Sequence, residues 1–213
     1  MTLADDLRAQ QDAAAQRMPA DVLAVMARVF ADLAASGLAG RALGVGDRAP
    51  DFTLPDATGK PLSSADLRAR GPLVISFYRG SWCPYCNLEL RALQALAPDF
   101  AARGARLVAI SPEQPDGSLS LAEKHALTFD VLSDAGNATA RAFGLVYTVD
   151  PELRAIYTDK FNIDLPAHNG DDSWELPMPG TYVVGADGVI TFAQVDSNHQ
   201  NRAEPADVLA ALG

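Results

Sequence analysis

LVISFYRGSWCPYC, residues 73–86, decides how this chain folds. Its first six residues (73–78) are an apolar run too short for a surface helix, and they read as a strand buried on both faces. Arg79, Gly80, Ser81 and Trp82 make a short turn, and Cys83-Pro84-Tyr85-Cys86 then opens a helix over 83–103 with Leu90, Leu93, Leu96 and Phe100 along one face. Pro84 suits the first helical turn, where a missing N–H costs little. Pro98 predicts a kink or interruption further on, because it removes a backbone donor.

A thiol at such a helix start meets free backbone N–H groups and the positive end of the macrodipole, which together stabilise a thiolate. The two-residue spacing lets the second thiol reach a mixed disulfide or a sulfenic acid on the first. Cys83 and Cys86 are the only cysteines of the chain, so they are chemistry and not part of a disulfide framework. A structural zinc site would need more ligands, and His125, His168 and His199 are not in paired spacing. No metal or cofactor is expected.

Working outward, 107–110 (LVAI) reads as a second strand, 118–127 and 137–143 as helices, and 150–157 as a shorter helix. Residues 181–184 and 189–195 read as strands around Gly185-Ala186-Asp187-Gly188, where Asp-Gly favours a tight hairpin turn. Residues 204–212 close the chain as a helix. The stretch 164–177 is rich in Asn, Gly, Asp and Pro around Trp174 and reads as a long loop that could lid the site from the Pro179 side. Short apolar runs alternating with helical patterns predict an α/β fold with a central mixed sheet flanked by helices.

Residues 1–45 stand apart. They are Ala-rich, with Pro19 near a helix start and Val22, Met26, Val29, Phe30 and Leu33 at helical spacing. We read an N-terminal helical extension before a domain over 46–213, its apolar stripe packed on that domain or, alternatively, making a dimer contact. With 213 residues, 48% of them hydrophobic and 21% charged, the chain can bury a large core. A net charge of -10 disfavours nucleic acid and anionic membrane as partners. No secretory leader is visible and no stretch approaches the roughly 18 apolar residues of a membrane span, so a cytoplasmic location is expected.

Trp82-Cys83-Pro84-Tyr85-Cys86 after an apolar strand resembles the redox motif of thioredoxin-fold proteins, in the CPYC form typical of glutaredoxins. The resemblance extends further: GDRAPDFTL (46–54), VAISP (108–112), LSD (132–134), AFG (142–144) and TYVV (181–184) are similar, in order and spacing, to peroxiredoxins of the alkyl hydroperoxide reductase and thiol-specific antioxidant type. The resemblance covers 46 to about 195 and implies a thioredoxin-like fold. It also implies hydroperoxide reduction through a thiolate, a sulfenic acid and a Cys83–Cys86 disulfide. That disulfide would be recycled by a thioredoxin-, glutaredoxin- or glutathione-type donor, and homodimers are frequent in the family.

Laid on the family's Pro-x-x-x-Thr-x-x-Cys signature, Cys86 matches the peroxidatic cysteine, Arg79 stands where Pro is usual, and Cys83 replaces Thr. The family's Arg before the late strand falls at Pro179, which instead resembles the cis-proline that faces the cysteine pair in thioredoxin-like proteins, with a cis Met178–Pro179 bond expected. In thioredoxin-like chemistry the first cysteine attacks, so the two resemblances disagree about which sulfur is the nucleophile. Phe77 stands where thioredoxins bury an Asp, and Glu89 is a nearby substitute. Arg79 would hold a thiolate or orient a peroxide, or else be solvated. Trp82 would shape partner docking or simply pack. Two other functions remain open: a protein disulfide oxidoreductase with little peroxidase activity, and a non-enzymatic redox sensor.

Overall fold

The computed structural model describes residues 2–212. Helices α1 (Leu3–Arg17) and α2 (Ala20–Ala35) come first, with a 3-10 turn at Ala39–Arg41; strands β1 (Thr53–Pro55) and β2 (Pro61–Ser63) pair as a small hairpin, followed by α3 (Ser64–Arg68). Then come β3 (Leu73–Phe77), α4 (Pro84–Ala95), α5 (Ala97–Ala102), β4 (Arg106–Ser111), α6 (Pro115–His125), β5 (Asp130–Ser133), α7 (Ala138–Ala142) and β6 (Val146–Thr148). The rest is α8 (Pro151–Phe161), α9 (Leu165–Asn169), β7 (Glu175–Pro177), β8 (Gly180–Val184), β9 (Ile190–Val195) and α10 (Pro205–Ala210).

The main sheet has the order β5-β4-β3-β8-β9, with β3, β4 and β5 parallel and β8 and β9 antiparallel to their neighbours. Strand β3 is therefore central, which is why every one of its residues is apolar or buried. Its last residue, Phe77, pairs with Ile110 on one side and Gly180 on the other. The chain leaves the sheet there for the cysteine helix. The β8–β9 turn closes as Asp-Gly predicts, with the Gly185 N–H donating to the Val189 carbonyl at 2.8 Å and Gly188 at φ +85°. The mixed sheet flanked by helices agrees with the α/β expectation. The cysteine helix is interrupted at Leu96, just before Pro98, as α4 gives way to α5.

Three expectations are corrected. The stretch 164–177 is not one long loop: it holds α9, capped by the Asp164 carboxylate accepting from the Ala167 N–H at 3.1 Å, and β7, which pairs with β6. Segments of five and three residues carry too few positions for a period to show. Among the described residues no peptide bond is cis, so Met178–Pro179 is trans. The third correction concerns hydropathy, since the 22-residue stretch Ala20–Arg41 holds an 18-residue window with a mean hydropathy of 1.7 and is long and apolar enough by composition to cross a membrane. Its apolar residues are interleaved with Asp21, Arg28 and Asp32, so no unbroken apolar run stands out in the sequence. In the structure Val22 and Val29 of α2 are buried in the core, and Arg28 lies 3.7 and 3.1 Å from the carboxylates of Asp150 and Glu152 at the start of α8. The apolar stripe thus packs on the remainder of the chain.

Candidate active site

Cys83 is the residue that caps α4, and Pro84 occupies the first helical position after it. Both thiols are free and buried, with Cys83 1% and Cys86 0% exposed. They differ in what they face. Cys83 lines a cavity of about 350 Å³, together with Arg79, Trp82, Pro84, Tyr85, Tyr157 and His168. Cys86 lies one helical turn behind, in a cluster with Leu3, Leu7, Tyr78 and Leu90.

The electrostatics separate the two thiols further. Burial alone would raise the Cys83 thiol, but donation from the Cys86 thiol, the Arg79 and Arg202 charges and the Cys86 backbone N–H outweigh it and hold Cys83 at about 6. Cys86 goes the other way: burial, then its hydrogen bond to Cys83 and the charge there, push it well up despite Arg202 and Arg79. The surroundings thus favour ionisation of Cys83 and oppose that of Cys86.

Arg79 is not solvated. It is 2% exposed, its Nη1 lies 3.9 Å from Cys83 Sγ, and its guanidinium donates to the Tyr157 hydroxyl. The guanidinium sits 4.9 Å from the Trp82 ring centre and 5.8 Å from that of Tyr157, an arrangement that holds a cation without water. Trp82 is half-buried and packs at 5.5 Å from Tyr157, so it supports Arg79 as well as lining the cavity. Pro179 is buried at the start of β8 and is not among the residues lining the cavity.

Behind Cys86 lies an ion pair that is almost wholly shielded. Arg202 Nε donates to Glu89 Oε2 at 2.7 Å, each side chain being 1% exposed, and Arg202 Nη2 donates to Cys86 Sγ at 3.4 Å. Glu89 also accepts from Thr181 Oγ1 at 3.0 Å and from Ser76 Oγ at 3.4 Å. Burial holds the Glu89 carboxyl above its ordinary range although Arg202 pulls it down. Glu89 is thus a buried carboxylate near the pair, while Phe77 points its ring at Phe143 and Tyr182.

Sequence reasoning gave no role to Arg202, Glu113 and Tyr157, and it set His168 and His199 aside because the cysteine pair already supplies nucleophile and resolver. Glu113 is fully buried and accepts from the Ser81 N–H at 2.8 Å and the Ser81 hydroxyl at 2.7 Å, which pins the turn leading to Cys83. His199 is buried between Phe30 of α2, at 4.2 Å, and Tyr85, at 5.3 Å. Burial, then the Arg79 and Arg202 charges, hold it well below the ordinary histidine value. The polar stretch 196–202 ending in Arg was the one signal in the sequence. His125 is half-buried on α6 and lies outside the cavity. The described residues contain no cluster of three metal-ligating side chains.

The AhpC/TSA family model matches residues 45–193. A Mycobacterium tuberculosis protein named as a peroxiredoxin is 36% identical over 99 residues, 46% of this chain and 62% of that protein. The thiol-disulfide oxidoreductase ResA of Geobacillus thermodenitrificans is 30% identical over 105 residues, 49% of this chain and 59% of ResA. The chain thus spans about three fifths of the length of these two relatives. Among solved structures, the peroxidoxin BcpB of Mycobacterium tuberculosis superposes with a TM-score of 0.64 at 27% identity, covering 80% of this chain and 96% of that one. A central thioredoxin-like sheet, a cysteine pair opening the helix after β3, and a family match over most of the chain lead to one statement: the chain belongs to the AhpC/TSA family.

Proposed function

We propose that the protein is a thiol peroxidase that reduces hydroperoxides through Cys83 and Cys86, with Cys83 as the attacking sulfur. The observation that carries this order is that Cys83 is both the depressed thiol and the one that opens onto the cavity. The Cys83 thiolate attacks the terminal peroxide oxygen, the O–O bond breaks, and an alcohol or water leaves as Cys83 becomes a sulfenic acid. The Cys86 thiol then displaces water from that sulfur, using its own proton, and closes the disulfide. Two electrons from an external thiol of thioredoxin, glutaredoxin or glutathione type restore the pair. Arg79 stabilises the thiolate, Trp82 and Pro84 shape its surroundings, and Pro179 supports the sheet end beside it. We place residues 1–45 as a helical extension of a domain over 46–213, and the protein in the cytoplasm, as a homodimer.

A disulfide oxidoreductase is the second reading. It is favoured by the substitution of Cys83 and Pro179 for the Thr and Arg of the peroxidase signature, and by the similarity to ResA.

Stopped-flow oxidation of the reduced protein by hydrogen peroxide and an organic hydroperoxide separates these readings. Cys83→Ser should abolish the fast reaction, whereas Cys86→Ser should keep it and stop at the sulfenic acid. The wild-type rate should rise with pH through about 6, as Cys83 ionises. The fast reaction surviving in Cys83→Ser would reverse the order of attack. Rapid reduction of a disulfide substrate with peroxide reacting no faster than a free thiol would replace the peroxidase reading by the second one.

A further inference from the structure

His168 lines the same cavity as Cys83, and nothing in the cysteine chemistry above uses it. Its Nδ1 lies 3.3 Å from Oε1 of Glu113, the carboxylate already fixed by the backbone and hydroxyl of Ser81. A carboxylate that engages one ring nitrogen sets the orientation of the imidazole and leaves Nε2 as the nitrogen for other partners. Nucleophile and imidazole therefore line one cavity, and the orienting carboxylate, itself fully buried, holds the imidazole from outside it. Cys83 comes from the start of α4, His168 from α9, and Glu113 from the segment between β4 and α6.

We propose that His168, oriented by Glu113, is a catalytic acid that protonates the oxygen leaving Cys83's peroxide substrate; this rests on the peroxidase reading above. As the S–O bond forms and the O–O bond breaks, the electron pair of the broken bond falls on the departing oxygen. An alkoxide is a poor leaving group, and a proton from His168 Nε2 turns it into an alcohol. Sulfur is oxidised to the sulfenic acid and the peroxide oxygen is reduced. When the external thiol later reduces the disulfide and Cys83 returns to its thiolate, the proton released in that step restores the imidazolium.

The surroundings suit a protonated ring. The Glu113 hydrogen bond raises His168 above the ordinary histidine value, with burial opposing and the charges of Glu113 and Asp164 adding to it. The other titratable or charged groups at the cavity are Arg79, which opposes a second cation, and Cys83, Tyr85, Tyr157 and His199. With Cys83 held low and His168 raised, thiolate and imidazolium coexist between the two ionisations, which predicts a bell-shaped profile.

The test varies the leaving group. tert-Butyl hydroperoxide releases an alkoxide that needs a proton, whereas peracetic acid releases acetate, which does not. In stopped-flow oxidation, His168→Gln should slow the first by about 100-fold and the second by less than about threefold. Glu113→Gln keeps the imidazole but removes the group that raises its pKa. Its profile with tert-butyl hydroperoxide should therefore lose its basic limb at lower pH than wild type, while the peracetic acid profile stays put. Equal slowing of both peroxides by His168→Gln, as a merely structural role would give, or slowing of neither, overturns the assignment. A wild-type protein that reacts with neither peroxide faster than a free thiol overturns the peroxidase reading itself.

Discussion

Arg202 reaches Cys86 across 116 positions of sequence and pairs with Glu89 on the way. Both charges are removed from water, so each depends on the other. Arg202→Met should destabilise the reduced protein by about 3–5 kcal/mol, because it strands a buried carboxylate. The double variant Arg202→Met, Glu89→Gln should recover most of that loss. Urea unfolding of the reduced forms measures both, and a single variant costing as little as the double one would mean that the pair is not shielded. Glu89 was legible as a candidate from its closeness to the cysteines, and Cys83, Cys86 and Arg79 from their places in the motif. Arg202, Glu113 and His168 were not, since their roles depend on which distant segments fold against α4.

The turn between β3 and α4 shows what a single element demands. Gly80 sits at φ +154°, and a Cβ built there would lie 2.3 Å from Trp82 Nε1. Gly80→Ala should cost about 1–3 kcal/mol and push Trp82 off the Arg79 guanidinium. Trp fluorescence and thermal melting would report this together, and a variant with unchanged emission and melting would show that the stack is not tight. The strongly patterned elements were legible: β3 by its continuous apolar run, α4 by its proline and leucine face, and the β8–β9 hairpin by its Asp-Gly turn. The three-residue strands β1, β2, β6 and β7 and the five-residue α9 were not, because their pairing comes from tertiary contacts and not from local periodicity.

At the scale of the whole molecule, the N-terminal helices are built into the wall around the redox pair. Leu3 and Leu7 of α1 are buried in the cluster that holds Cys83, Tyr85 and Cys86, and Met26 of α2 lines the cavity alongside Met18. Leu7→Ala should therefore cost about 2–4 kcal/mol in urea unfolding, the loss expected for a well-packed core leucine. A cost below about 1 kcal/mol would mean that α1 is only loosely attached. The amino-acid sequence by itself determined the α/β class, the strand-turn-helix that presents the cysteines, and their redox chemistry, because these follow from local patterns and from the reactivity of two thiols at a helix start. The tertiary structure alone decided which sulfur lines the cavity, which one its surroundings favour as a thiolate, and which carboxylates, cations and histidines surround it. Those properties depend on burial and on charges brought together from remote segments, and neither is encoded in any short stretch of chain.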